Sequence, residues 1–140
     1  MAGLGVCLVL VAMGPTPGHA PAFVATDHFT LAWTHSIEKV RWEEDYAVLR
    51  PSTPGALPVL HATEARVKGS AAGMEPPPDA VLQNGWFQYK PTQRFPLALR
   101  LSRSEFVPDY ELCMNGTCWP LSHWLPSDGG VTLLTACQAP

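Results

Sequence analysis

The sequence has little charge, and basic residues are especially few. Lys and Arg together number nine in 140 residues, they form no cluster, and the formal net charge is −3. Because nucleic-acid binding depends on concentrated positive charge, we expect no nucleic-acid partner. Charged residues make up 15% of the chain and hydrophobic residues 46%, which excludes a disordered chain and is sufficient for a packed core.

Long uninterrupted segments are also lacking. Fifteen Pro and eleven Gly interrupt the chain at short intervals, and long helices do not tolerate that spacing. Short strands joined by turns are therefore expected. A length of 140 residues favours a single domain.

The N-terminal segment, "MAGLGVCLVLVAMGPTPGHA", contains an apolar run from Leu4 to Met13. A membrane-spanning helix needs about 20 apolar residues, so this run is too short to be one. The small residues Gly18 and Ala20 give the pattern that signal peptidase recognises. We therefore predict that residues 1–20 are a signal peptide and that residues 21–140 form the mature domain in the periplasm. The alternatives are an uncleaved anchor, which would tether the protein to the inner membrane, and a buried strand.

Two neighbouring segments alternate between apolar and polar residues, which is typical of paired strands with one buried face. In the first, the apolar face carries Phe29, Leu31, Trp33, His35 and Ile37. In the second, it carries Val40, Trp42, Glu44, Tyr46 and Val48. Further strands are predicted at 58–67, 85–90, 95–102, 110–121 and 130–137, and the Pro-rich stretch 68–80 is predicted to be a loop. The predicted fold is all-β, a single-domain sandwich or small barrel of about eight short antiparallel strands.

The cysteines indicate an oxidising compartment. In "CMNGTC", the Asn115-Gly116 dipeptide favours a type I′ hairpin turn. Such a turn places Cys113 opposite Cys118 with Cα atoms about 4.5 Å apart, within range of a disulfide. A reduced pair and a pair of metal ligands are the alternatives. With Cys7 assigned to the signal peptide, Cys137 is either a free thiol or a competitor for one of the other two cysteines.

The segment "WTHSIEKVRWEEDY", followed further along by "GSAAGM", resembles a bacterial family known as domain of unknown function 1850. The residues that match the family pattern are His35, Ser36, Glu38, Glu44, Gly69, Gly73 and Met74. Proteins of this family are commonly encoded beside TRAP-type solute transporters of the TAXI class, which import small organic acids. The resemblance implies an exported accessory or binding protein. Its expected partner is the membrane subunit, the solute-binding protein or the solute of such a transporter.

One role for the matched residues is to bind a carboxylate. His35 and Ser36 would do so together with Arg66 or Lys68 and with backbone amides of the Gly69–Gly73 loop, because Gly-rich backbone can form an anion-binding nest. This role is compatible with work beside a transporter and also with a free-standing periplasmic carboxylate binder.

Other roles for the same cluster are structural, catalytic or metal-binding. A buried hydrogen bond from His35 to Ser36 or Glu44 would be structural. A small hydrolase or metal-dependent enzyme would use His35, Ser36 and Glu44, with His61 as a further metal ligand. Adjacent strand residues point to opposite faces, whereas a Ser-His pair needs its side chains within about 3.2 Å. No catalytic residue is therefore assigned. His61 shares its strand face with apolar residues and is expected to pack there, and no metal or cofactor is assigned.

The segment "CWPLSHWLP" concentrates aromatic and apolar residues beside the predicted disulfide hairpin. Exposed aromatic residues often anchor protein–protein interfaces. Trp119 and Trp124 are therefore the predicted partner surface, and the alternative is that they pack over an open end of the β-structure.

Overall fold

The structure, a computed structural model, describes residues 3–11, 20–34, 39–69 and 79–140. These residues form eleven β-strands and one short 3-10 helix at Leu121–His123. The strands are β1 (Leu4–Leu10), β2 (Ala22–Ala25), β3 (His28–Thr34), β4 (Arg41–Leu49), β5 (Val59–Lys68), β6 (Val81–Gln83), β7 (Trp86–Tyr89), β8 (Leu99–Ser102), β9 (Glu111–Met114), β10 (Thr117–Pro120) and β11 (Val131–Gln138). In these described parts of the chain, no helix has the length and apolar character needed to cross a membrane.

The described strands form two antiparallel sheets that pack as a sandwich. One sheet has four strands in the order β2-β1-β11-β8, and the other has seven in the order β10-β9-β3-β4-β5-β7-β6. Their facing sides enclose one apolar core, whose largest fully buried side chains include Leu8, Leu31, Leu60, Leu112 and Leu134. Of the two all-β architectures predicted from the sequence, the structure is the sandwich. We call the side of the seven-stranded sheet that faces the core its inner face and the opposite side its outer face.

The central hairpin β3–β4 has the predicted alternation. Phe29 lies opposite Tyr46 and Trp33 lies opposite Trp42. Both aromatic pairs are stacked, with ring centroids 5.2 and 6.1 Å apart, respectively. Directly opposed rings of this kind stabilise strand pairing. The hairpin therefore fixes which residues of β4 face the core.

Residues Leu4–Leu10 form a strand of the core, which was the buried-strand alternative for the predicted signal peptide. In the four-stranded sheet, β1 lies between β2 and β11, and Val6 and Leu8 have no exposed surface. A short apolar run has the same composition in a signal peptide and in a buried strand, so periodicity does not separate the two. The export signal itself stays a prediction.

All four cysteines are in disulfides. Cys113 and Cys118 lie directly opposite each other and are bonded, as predicted. The expectation that Cys137 has no partner of its own is wrong, because it is bonded to Cys7 with the two Cα atoms 5.9 Å apart. That expectation followed from assigning Cys7 to a removed segment. Disulfides of this kind are compatible with an exported protein.

Two short hairpins each have an Asn-Gly turn between their strands. Asn115 and Gly116 have φ of 53° and 81°, the positive values that a type I′ turn requires. Asn84 and Gly85 have φ of 51° and 84° and connect β6 to β7 in the same way. The second hairpin, together with β1 and β2, explains why the described chain has more strands than the eight expected.

The predicted strand at 95–102 begins only at Leu99. Phe95 and Leu97 are exposed, and Pro96 between them has no N–H to donate to a strand partner. The preceding loop instead covers part of β5, where the Ala62 N–H donates to the Arg94 carbonyl oxygen at 2.8 Å. This loop forms one wall of the cavity described below.

Candidate functional site

Glu44 is an ionisable residue on the inner face of the seven-stranded sheet. It lies opposite Leu31 of β3 and opposite Ala65 of β5, both of which are buried. A carboxyl in this position loses much of its hydration, which is costly unless a hydrogen bond compensates. The Tyr46 hydroxyl supplies that bond by donating to Glu44 Oε1 at 2.8 Å.

The surroundings of Glu44 alter the acidity of several groups. Burial raises the pKa of the Glu44 carboxyl above its ordinary value of 4.5, and the hydrogen bond from Tyr46 lowers it only in part. Burial, and next the negative charge of Glu44, raise the pKa of Tyr89 to about 12. The same two causes raise the pKa of Tyr46 and of Tyr110. These tyrosines therefore keep their hydroxyl protons at neutral pH and can donate hydrogen bonds.

A cavity of about 260 Å³ opens beside this carboxyl. Its lining comprises Glu44, Tyr46, Ala62, Tyr89, Pro91, Thr92, Gln93, Pro96 and Leu99. Ligand pockets usually range from about 300 to 1,000 Å³, so this one would hold only a small molecule. We call it the Glu44 cavity.

Aromatic rings continue the inner face beyond Glu44. Trp33 stacks on Trp42, and the ring centroid of Tyr110 lies 6.1 Å from that of Trp33. Trp42 Nε1 is buried and has no hydrogen-bond partner among the described residues. A buried N–H of this kind is unusual, since most buried polar groups are paired.

The outer face carries a chain of ion pairs that we call the ion-pair network. Arg66 donates to Glu43 Oε1 at 2.7 Å and to both carboxylate oxygens of Asp45 at 2.8 and 3.1 Å. Arg41 donates to the other Glu43 oxygen at 2.7 Å and to Glu111. The hydrogen bonds that Arg66 donates to Asp45 and to Glu43 raise the pKa of Arg66, although burial opposes them. The network therefore neutralises most of its own charge.

A row of three rings lies at one edge of the seven-stranded sheet. Trp119, which is 40% exposed on β10, stacks on the His123 ring at 4.8 Å. His123 meets Trp124 edge-on at 5.0 Å, and Trp124 packs against the core. Of the two tryptophans predicted to form a partner surface, Trp119 is thus the exposed one and Trp124 anchors the row.

The described residues of the predicted site lie on both faces of the sheet. Glu44 is on the inner face. Lys68 is on the outer face, with its Nζ 5.0 Å from the centroid of the Trp86 ring. The Gly69 N–H donates to the Gly85 carbonyl oxygen at 2.7 Å, so that amide is already used. Arg66, the alternative to Lys68, is held in the ion-pair network.

The remaining predicted positions lie outside the described residues. They are His35, Ser36, Glu38, Gly73 and Met74. His61, which the metal hypothesis includes, is described: it stacks on Phe95 at 4.7 Å and lies on the face opposite to Glu44. Within the described residues, no group of three or more potential metal ligands is present.

Sequence reasoning placed Tyr46 on the same face as Glu44, but it identified neither Tyr89 nor the ion-pair network. A signal for the network was present, because Arg41, Glu43 and Asp45 alternate along the polar face of one strand. Arg66 lies on the next strand. Opposite charges on adjacent strands stabilise a solvated sheet face. No comparable signal brings Tyr89 to Glu44, since that contact depends on how β7 pairs with β5.

The fold and these surfaces define a two-sheet all-β protein with a buried carboxyl on the inner face of its larger sheet. The sequence model of the family described as "Domain of unknown function (DUF1850)" matches residues 29–121. That match covers well over half of the chain, and the protein belongs to this family. No curated protein and no solved structure gave a match to the chain.

Proposed function

We propose that this protein is an exported accessory protein that binds a protein subunit of a TAXI-class TRAP transporter. Membership of the family supports the proposal, because the resemblance implies that such proteins are encoded beside transporters of this class. The observation that carries the binding role is the row of Trp119, His123 and Trp124. Its inner end packs against the core and its outer end is an exposed tryptophan.

The ring row has the properties of an interface anchor. Tryptophan is one of the residues enriched at the energetic centre of protein interfaces. Stacking on His123 restricts the Trp119 ring before binding, so little side-chain entropy remains to be lost in a complex. An edge strand such as β10 also has backbone groups available to a partner.

The test is crosslinking capture from host membranes with tagged protein, followed by identification of the captured chains by mass spectrometry. We expect a membrane subunit or the solute-binding protein of a TAXI-class transporter to be captured. Trp119→Ala is expected to lose this capture. The matched control is Phe106→Ala, which removes a ring that is 87% exposed elsewhere on the surface. Failure to capture any transporter subunit, or equal loss in both variants, would refute the proposal.

A second candidate function is binding of a small ligand in the Glu44 cavity. We infer a ligand that carries an ammonium group, because an ionised carboxyl attracts a cation and repels an organic anion. The tyrosine hydroxyls supply further hydrogen-bond donors or acceptors around it. This inference differs from the carboxylate binder expected from the sequence, whose described cationic candidates, Arg66 and Lys68, lie on the other face.

Calorimetric titration with ethylammonium chloride and with sodium acetate separates these ligands. We expect the wild-type protein to bind ethylammonium and the Glu44→Gln variant not to bind it. Binding of acetate with equal affinity by both proteins would contradict the assignment of the Glu44 cavity. Absence of any binding of ethylammonium to the wild type would do so as well.

A further inference from the structure

The Cys113–Cys118 disulfide lies against a guanidinium group. Arg41 Nη2 is 3.8 Å from Cys113 Sγ and 3.7 Å from Cys118 Sγ. The other nitrogens of the same group are held by acidic residues, Nε by Glu43 at 2.7 Å and Nη1 by Glu111. The guanidinium is therefore fixed with one edge towards both sulfur atoms.

This contact has a different strength in the two redox states. A disulfide sulfur is a weak hydrogen-bond acceptor and carries no charge. A thiolate carries a full charge, and a neighbouring arginine lowers the pKa of a thiol by stabilising that charge. Because Arg41 interacts more favourably with the reduced form, it shifts the equilibrium towards reduction. The carboxylates of Glu43 and Glu111 offset part of this charge, so the shift is modest.

The fold depends less on this bond than on Cys7–Cys137. It closes a loop with a sequence separation of only five residues, within a hairpin that the Asn115-Gly116 turn already favours. The strand β9 is also paired with β3. In contrast, Cys7–Cys137 has a sequence separation of 130 and links β1 to β11 inside the smaller sheet.

The bond is also accessible. Cys118 is an exposed residue of β10, which is the edge strand of the larger sheet. Cys7 and Cys137 are only partly exposed, and β1 is flanked by strands on both sides. An external thiolate can therefore reach Cys118 Sγ more readily than either sulfur of the other disulfide.

We propose that Cys113–Cys118 is a redox-active disulfide that exchanges with a dithiol reductant, and that Arg41 stabilises its reduced form. A thiolate of the reductant attacks Cys118 Sγ, the disulfide bond breaks, and the electron pair leaves on Cys113 Sγ beside Arg41. The second thiol of the reductant then loses its proton and attacks the first sulfur of the reductant, which is bonded to Cys118 Sγ in the mixed disulfide. Cys118 is released as a thiolate and takes up a proton. Two electrons pass from the dithiol, which becomes a disulfide, to the protein.

The test is equilibration of the folded protein in dithiothreitol buffers of graded potential, with alkylation and mass spectrometry to read each cysteine separately. We expect Cys113 and Cys118 to be reduced at a less negative potential than Cys7 and Cys137. The Cys7–Cys137 pair serves as the internal reference. Reduction of Cys7 and Cys137 at a less negative potential than Cys113 and Cys118 would overturn the proposal.

Variants separate the effect of Arg41 from a general loss of structure. Arg41→Gln should shift the exchange equilibrium about tenfold towards the disulfide, which is about 30 mV for a two-electron couple. Arg41→Lys keeps the positive charge and should recover part of the shift. Arg66→Gln disrupts the ion-pair network without touching sulfur and should shift the equilibrium much less than Arg41→Gln does. An equal midpoint in the wild type and in Arg41→Gln, or equal shifts in Arg41→Gln and Arg66→Gln, would overturn the role of Arg41.

Discussion

The Tyr46 hydroxyl donates a 2.8 Å hydrogen bond to Glu44 Oε1, two residues back along the same strand and on the same inner face. This bond connects an ionisable residue to the apolar core, because Tyr46 is itself only 4% exposed. The carboxyl keeps a hydrogen-bond partner but loses hydration. Its protonation is therefore coupled to folding.

The first prediction concerns pH. Burial raises the pKa of Glu44 in the folded protein above its ordinary value of 4.5, so the folded state holds this proton more tightly than the unfolded state. The stabilisation from this proton is complete below pH 4.5 and is lost as the pH rises through the folded-state pKa. In the Glu44→Gln variant, the amide oxygen still accepts the hydrogen bond from Tyr46 but does not titrate. As the pH rises, the wild type should therefore lose stability relative to this variant. Thermal unfolding of both proteins from pH 4 to pH 8 measures the difference, and a difference that grows in favour of the wild type contradicts the account.

The second prediction tests the place of β1 in the fold. A Cβ added at Gly5 would meet the Val24 carbonyl oxygen and would lie 2.7 Å from the Phe23 ring, whereas one added at Gly3 has nothing within 4 Å. Gly5→Ala should therefore destabilise the protein by about 1–3 kcal/mol. Gly3→Ala should change the free energy of unfolding by less than about 0.5 kcal/mol. Urea denaturation measures both, and identical stabilities would mean that β1 does not belong to the mature fold.

The third prediction compares the two disulfides. Loop-closure entropy predicts a loss of about 5 kcal/mol when Cys7 and Cys137 are both replaced by Ala, and of about 2 kcal/mol when Cys113 and Cys118 are replaced. The difference follows from the sequence separations of 130 and five residues. Denaturant unfolding under oxidising conditions gives both values. A larger loss in the hairpin variant would contradict the assigned roles.

The fourth prediction concerns the ion-pair network. Arg66→Met leaves Asp45 and Glu43 without a shared partner and should cost about 1–2 kcal/mol at low salt, since the side chains are partly buried. Lys68→Met, two positions along the same face, removes a cation–π contact with Trp86 and should cost about 0.5 kcal/mol. The difference in unfolding free energy between the two variants should become smaller in 1 M salt, because salt screens the ion pairs. Equal costs at low salt would show that the network contributes nothing to stability.

The sequence predicted the larger sheet better than the smaller one. Strand alternation correctly assigned Trp42, Glu44 and Tyr46 to the inner face, and the Asn115-Gly116 turn gave the disulfide hairpin. These features depend on local periodicity and turn chemistry. The place of β1 depends on pairing with β11 at the far end of the chain, and such long-range pairing leaves no local signal.

The Glu44 cavity was predictable only in part. Alternation identified Glu44 as a polar residue on an apolar face, which is the usual sign of a site or of a compensated core position. Its compensation by Tyr46 follows from the same alternation. The contribution of Tyr89 and of Pro91 depends on the β5–β7 pairing and on the loop that follows it. Neither could be placed from composition or spacing.

Direct titration of the purified protein against purified subunits of a TAXI-class TRAP transporter is the most direct measurement of the proposed function. The account predicts saturable binding to the solute-binding protein or to the membrane subunit. Trp119→Ala should weaken that binding more than tenfold, because removal of a central interface tryptophan typically costs 2 kcal/mol or more. Phe106→Ala should bind as the wild type does. No binding to either subunit, or binding that the Trp119 variant leaves unchanged, contradicts the account.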